Sequence, residues 1–444
     1  MWVQIDIWHQ KFRTLFALFD VEYFRYICSL YKLNRYSAMR KRAFFIVLSM
    51  LMVLTGCGDS DNGISEEPQG PASRMVLVYM AAKNELGSSY YDMEDLKEMK
   101  QAAIEGQLGS GRWLVYNSPY SGNPTLLEVN GDGSFDTLKI YERGIVAAER
   151  DQMVDVLKTS RQFAPADKYG LVLWGHGSGW VMDGITYDRP IDTSGTIAYS
   201  YGPEQSTSMN VTSMNVTTLG EVLRYIGGYD YVYFDCCYMA NVETAYELRN
   251  ATDYIVGSAT ELLSAGMPYQ LNMSSLINGS RESLIRAASN TFDLYNNQSK
   301  PSNQTCTMSV LSTAGLDRLA LATRNIYSKA SDSYIDGYNP QEFSLEAYKI
   351  PSKPVYFFDF KDYVHALADA NEMDEALASE FDSAFADVVI YSVATKRLWN
   401  SLSLSRCNGL STFLPDYSDA SNSSKNAYTA LSWYDKVVTA FNHN

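Results

Sequence analysis

A unit that recurs along this chain limits its fold most. It is a short, wholly apolar run, then a turn, then a segment with apolar residues at helical spacing. Met75 to Ala82 (MVLVYMAA) is the first such run and stops near Asn84 and Gly87. Such runs predict strands buried on both faces of a parallel sheet. The next segment, YYDMEDLKEMKQAAI, places Met93, Leu96, Met99, Ala102 and Ile104 at helical spacing. RWLVYNS predicts a strand; TLLEVN and FDTLKIYE flank Gly131-Asp132-Gly133 and predict a hairpin. AERDQMVDVLKTSRQFA reads as a helix and YGLVLWGHGSGW as a strand with its turn. TTLGEVLRYIGG reads as a helix ended by Gly227-Gly228. Then come the strand of YDYVYFDCC, an amphipathic helix from about Asn241, and a strand in DYIVGSAT. This alternation predicts an α/β fold, a parallel sheet with helices on both faces.

Two of these strands end in reactive side chains. Leu171 to Trp174 leads to His176 between Gly175 and Gly177, and the run from Tyr229 leads to Asp235-Cys236-Cys237. Strand-to-helix turns at the carboxyl edge of such a sheet are where it presents chemistry. The chain has four histidines. His9 lies in a leader discussed below, His443 is penultimate, and His365 sits in the helical-looking KDYVHALADA. His176 is therefore the candidate. Side chains alternate along a strand, so only one of Cys236 and Cys237 can face it. A vicinal disulfide between the two is the other reading. A buried cysteine at a strand end is commonly structural, but its pairing with Gly-His-Gly favours catalysis. An ordinary thiol, with a pKa of ~8.5, is only slightly ionised at neutral pH. A nearby imidazole raises that fraction, as does a helix start, and one is predicted just after Cys237.

The ends and loops read differently. Met39 to Cys57 has a basic start (Arg40, Lys41, Arg42), an apolar run from Ala43 to Leu54, and Leu54-Thr55-Gly56-Cys57. This is the shape of a secretory signal peptide. Its end resembles the lipobox of bacterial lipoproteins, which implies lipidation at Cys57. Residues 1–38 are then an upstream mis-start, 39–56 the signal peptide, and 57–73 an acidic flexible tether resembling a surface-export signal. Arg74 is the one basic residue placed for trimming. The formal charge is −15, and without residues 1–56 it is about −20. Such a surface disfavours nucleic acid and favours cationic substrates. Cys306 and Cys407 read as isolated thiols, and no cysteine spacing suits zinc, so no metal and no cofactor is assigned. Between His176 and Gly220 the chain is irregular. The tandem SMNVT of Ser208 to Thr217 reads as slippage in a tolerant loop. From Asn339-Pro340 the rhythm loosens into a smaller region, 339–444.

The His-Gly after one strand and, about sixty residues on, Asp-x-Cys after another resemble the clostripain family of cysteine peptidases. These are caspase-like enzymes related to caspases, gingipains and legumains. The resemblance runs from about Met75 to the C-terminus, chiefly in LVLWGHGSGW and FDCCYMANVETAYEL. It implies a three-layer α/β/α domain over 74–338 with a mainly parallel sheet, and an Asp-x-Cys spacing that selects Cys237 as nucleophile. It also implies His176 as the proton carrier and an oxyanion hole from the N–H groups of Gly177 and Cys237. Asp235 then lines a pocket selecting Arg or Lys, near a loop holding Glu261 and Gly266-Met267-Pro268-Tyr269. Relatives often cut themselves after a basic residue between the His and the Cys. Here only Arg189, before Pro190, and Arg224, in a predicted helix, lie in that interval, so no internal cleavage is expected. Some relatives require calcium; Asp183 and Asp188 are near the site loop, but no calcium site is assigned. The expectation is a lipid-anchored endopeptidase of the bacterial outer membrane, possessing a protein or peptide substrate as partner. The alternative is a surface lipoprotein that keeps the fold as a binding module.

Overall fold

A computed structural model describes residues 72–181, 201–205, 211–340, 342–344, 355–400, 402–418 and 420–441. The leader, Cys57, the tether up to residue 71, Asp183, Asp188, Arg189 and the first residues of the SMNVT repeat lie outside them. Among the described residues no helix is long and apolar enough to cross a membrane.

The strands are β1 (Met75–Ala81), β2 (Arg112–Ser118), β3 (Thr125–Val129), β4 (Phe135–Ile140), β5 (Tyr169–Trp174), β6 (Tyr201–Gln205) and β7 (Val211–Met214). Then follow β8 (Tyr229–Asp235), β9 (Thr252–Gly257), β10 (Thr307–Ser312), β11 (Glu342–Ser344), β12 (Val355–Asp359) and β13 (Val389–Ala394). A nine-stranded sheet runs β13-β10-β9-β8-β5-β1-β2-β3-β4. The core from β9 to β2 is parallel, and an antiparallel pair extends each edge. The apolar runs predict this well because alternate residues must be buried on opposite faces. Leu77 and Tyr79 enter one core and Val76 and Val78 the other.

Helix Tyr91–Ile104 covers the second face and helices Arg150–Phe163 and Val216–Ile226 the first. The connections after β1 and β5, which are neighbours, therefore leave to opposite sides. That divergence opens a crevice at the carboxyl ends of the strands.

Three readings are corrected. In the Tyr91–Ile104 helix Met93 and Ile104 are exposed, while Asp92 and Asp95 are buried with Leu96, Met99 and Ala102. The inward stripe follows 92-95-96-99-102, rotated so that two carboxyls point into the protein. The helix after Cys237, Val242–Leu248, is buried on every side rather than amphipathic. Its Glu243 accepts from the Phe413 N–H at 2.8 Å and the Thr412 hydroxyl at 2.7 Å, so the acid satisfies C-terminal backbone instead of facing water. Arg74 is not an exposed trimming point. It is 3% exposed, donates to Asp230 at 2.8 Å and to the Ile277 carbonyl at 3.1 Å, and leads directly into β1.

The described part of the tandem repeat belongs to regular structure. β7 pairs with β6, and Asn215 of the second copy caps the next helix by accepting from the Thr218 N–H at 2.8 Å. Residues after 338 belong to the same compact unit as the sheet. They supply β13 to its edge, and the Ser411 N–H donates to the Ala240 carbonyl at 3.0 Å.

Candidate active site

His176 and Cys237 follow neighbouring parallel strands, β5 and β8, and line one cavity of about 280 Å³ together with Glu85, Asp235 and Leu262. His176 is 8% exposed. Its carbonyl accepts from the Gly202 N–H at 3.0 Å, which holds β6 beneath the turn. Tyr201, fully buried, donates its hydroxyl toward the carbonyls of Tyr79 and Trp174, joining the ends of β1 and β5.

Gly177 packs against the other turn. A Cβ there would lie 2.5 Å from the Cys237 carbonyl oxygen and 3.1 Å from the Cys236 sulfur, so only glycine fits. The Gly177–Tyr201 bridge uses the flanking residues, as the Gly202 bond shows, which leaves the Gly177 N–H outside that pairing.

β8 leaves the sheet abruptly. Tyr238 takes a positive φ of 62°, unusual for a bulky residue, and its N–H donates to the Thr260 carbonyl at 2.9 Å. The two cysteines part as alternation requires. Cys236 is buried in the first core, whereas Cys237 is half-buried in the cavity; both are free thiols. The Leu262 N–H donates to the Cys237 sulfur at 3.3 Å. Burial pushes the Cys237 thiol up to about 12, the negative charges of Glu261 and Asp235 add to it, and the Leu262 bond only partly offsets it.

The expected help from a helix start is not realised. The helix begins at Val242, and its first turn is capped by Asn241, which accepts from the Thr244 N–H at 2.7 Å. Its field fades before Cys237. Burial and the neighbouring acids therefore favour the neutral thiol.

Asp235, 4% exposed, stands at the cavity floor. It accepts from the Met267 N–H at 2.9 Å and from the Tyr269 hydroxyl at 3.0 Å. Gly266, at a φ of +61°, leaves no room for a Cβ, which would lie 2.8 Å from the carboxylate. Thus Gly266-Met267-Pro268-Tyr269 grips Asp235. Burial pushes Asp235 up to about 7, against the Tyr269 and Met267 hydrogen bonds. Asp95 lies behind it, donated to by the Trp174 indole at 2.6 Å, and is pushed well up by burial and by Asp235. Glu261 is buried and contacts the Trp399 indole.

Sequence reasoning missed Glu85, whose Oε1 lies 2.5 Å from Nε2 of His176. The available signal was its place just past β1, at the same sheet edge. It also missed Tyr269 and Asp95 as companions of Asp235. Cys306 is buried and Cys407 half-buried, both free. Among the described residues no group of three His, Cys, Asp or Glu is placed to hold a metal ion.

A caspase-like α/β/α sandwich with a cysteine and a histidine on adjacent strand ends defines a class of cysteine-dependent hydrolases. The family model of the clostripain peptidases matches residues 78–440, and the chain belongs to that family. It is a cysteine-type peptidase.

Among solved structures it is similar to a secreted C11 cysteine protease from Bacteroides thetaiotaomicron in complex with an irreversible peptide inhibitor. The identity is 25% and the TM-score 0.67, over 82% of this chain and 99% of that one. It is similar as well to an inactive zymogen C11 protease from Parabacteroides distasonis, at 27% identity and a TM-score of 0.66, over 83% and 99% of the two chains. A further Bacteroides thetaiotaomicron structure, iotapain, shares the fold at 23% identity and a TM-score of 0.68, over 83% and 99%. No curated protein matches the chain.

Proposed function

We propose that this peptidase is a lipid-anchored endopeptidase of the cell envelope that cuts after Arg or Lys, with Cys237 as nucleophile and His176 as proton carrier. The observation that carries this reading is the cavity itself, in which Cys237, His176 and Asp235 meet. The Cys237 sulfur bonds to the scissile carbonyl carbon while its proton passes to His176. The carbonyl oxygen, now an oxyanion, is held by the N–H groups of Gly177 and Cys237. Collapse breaks the C–N bond, and His176 returns its proton to the leaving amine. Water then attacks the thioester, its proton going to His176 and on to the departing sulfur.

Asp235 supplies the preference. Burial costs its charge unless a cation shares the pocket, so a bound Arg or Lys side chain favours its ionised form. The anchor rests on Leu54-Thr55-Gly56-Cys57 after a basic and apolar leader. It places the peptidase on the bacterial outer membrane with protein or peptide substrates. No metal takes part in this scheme, so calcium chelation is expected to leave the rate unchanged.

The test is hydrolysis of fluorogenic peptides ending in Arg, Lys, Asp, Asn or Leu by the full chain, Cys237→Ala and Cys236→Ala. Cleavage after Arg or Lys that vanishes only in Cys237→Ala supports the reading. Loss in Cys236→Ala alone moves the nucleophile by one residue, and cleavage after other residues removes the role of Asp235. For the anchor, Cys57→Ser should release the protein from the membrane fraction.

A further inference from the structure

We propose that Glu85 is a positioning residue for His176, its carboxylate set against the Nε2 edge of the imidazole so that the ring stays in place to exchange the proton at the scissile bond. This rests on the reading of His176 as proton carrier. Glu85 Oε1 and His176 Nε2 are 2.5 Å apart, and both side chains line the cavity of Cys237. A surface ion pair is usually weak because two mobile side chains must be ordered. Here the backbone beneath Glu85 is fixed in advance.

Asn84 caps the short Glu85–Ser88 turn, accepting from the Leu86 N–H at 3.0 Å and donating to the Ala81 carbonyl at 2.9 Å. The Lys83 N–H donates to buried Glu204 at 3.1 Å. Gly87 folds so tightly on Ala82 that a Cβ would lie 1.9 Å from the Ala82 carbonyl oxygen. These contacts fix the backbone under Glu85 at the end of β1, beside the end of β5, and leave its side chain half exposed at the mouth of the turn. Partial burial would raise the Glu85 pKa, but the facing His176 imidazole outweighs this and lowers it. The carboxylate is therefore present over the neutral range. It fixes the ring and stabilises the imidazolium formed when Cys237 gives up its proton.

The test compares the full chain with Glu85→Gln, Glu85→Ala and Cys237→Ala, on the fluorogenic peptide the native chain cuts fastest. Active sites are counted by an irreversible peptide inhibitor. Glu85→Gln keeps an acceptor oxygen but no charge and is expected to lower kcat about 10-fold; Glu85→Ala, about 100-fold. KM should stay within about 2-fold in both, and the melting temperature should stay near native. A kcat for Glu85→Ala within about 2-fold of native overturns the proposal, as does a loss confined to KM or one matched by a loss of folded protein. Native activity that survives Cys237→Ala would instead defeat the reading of the site on which the proposal rests.

Discussion

Gly177 has no room for a side chain, because the Cys237 carbonyl occupies the space a Cβ would take. Gly177→Ala must therefore push the His176 turn away from the Cys237 turn. Single-turnover kinetics should show a fall of at least ~100-fold in the acylation rate, the scale of a lost oxyanion donor. Asp235 makes a second prediction at this scale. Burial pushes its carboxyl up to about 7, so its negative charge is complete only above that pH. The ratio of kcat/KM for an Arg peptide to that for a Leu peptide should rise with pH through about 7, and taking the ratio cancels effects of Cys237 and His176. The Tyr269 hydroxyl favours the ionised carboxylate, so Tyr269→Phe should move the rise to higher pH. An unchanged midpoint would detach the preference from Asp235. The meeting of Cys237 and His176 in one cavity was legible because both are distinctive residue types at strand ends. Glu85 was not, because one carboxylate among many acquires meaning only from what stands opposite it.

The elements beneath these residues are short and individually weak. Val242–Leu248 has seven residues, too few to hold as an isolated helix. It persists through burial and through Asn241, which caps it and also donates to the Tyr238 carbonyl at 2.7 Å, bracing the turn that follows Cys237. Asn241→Ala is expected to cost about 1–2 kcal/mol, measured by denaturant unfolding. The rate per active site should fall with it, since the same side chain holds both helix and turn. Strand and helix positions were legible here because burial on both faces forces continuous apolar runs and caps need particular side chains. Which face each helix turns inward was less so. Periodicity put Met93 and Ile104 inside; the fold instead buries Asp92 and Asp95, where Asn117 and Trp174 supply donors from across the sheet.

Across the whole molecule several acids are folded into the interior. Glu204 and Glu243 are each pushed up to about 7 by burial. Their folded values lie above the unfolded value of about 4.5. The folded state then binds more protons than the unfolded state between those limits. This contribution to stability is complete below about 4.5 and is lost as pH rises through about 7. The melting temperature should fall from pH 5 to pH 8, and Glu243→Gln should flatten part of that slope. A melting temperature that rises over this range would contradict the burial of these groups. Glu243 and Glu247 also join the helix after Cys237 to C-terminal segments, Glu243 at Thr412 and Phe413 and Glu247 at Ser432.

The sequence by itself determined the α/β alternation, the ends of most strands, the Gly227 stop and the pairing of His176 with a cysteine on a neighbouring strand. These follow from local rules, since chain direction, side-chain alternation and capping act over a few residues. The tertiary structure alone decided that Arg74 is buried on Asp230, that Cys236 turns into the core, that Asp235 is held by Tyr269, and that Glu85 meets His176. Those facts join residues far apart in the chain. They depend on desolvation and hydrogen bonding at the places where strands and loops converge, which no local pattern encodes.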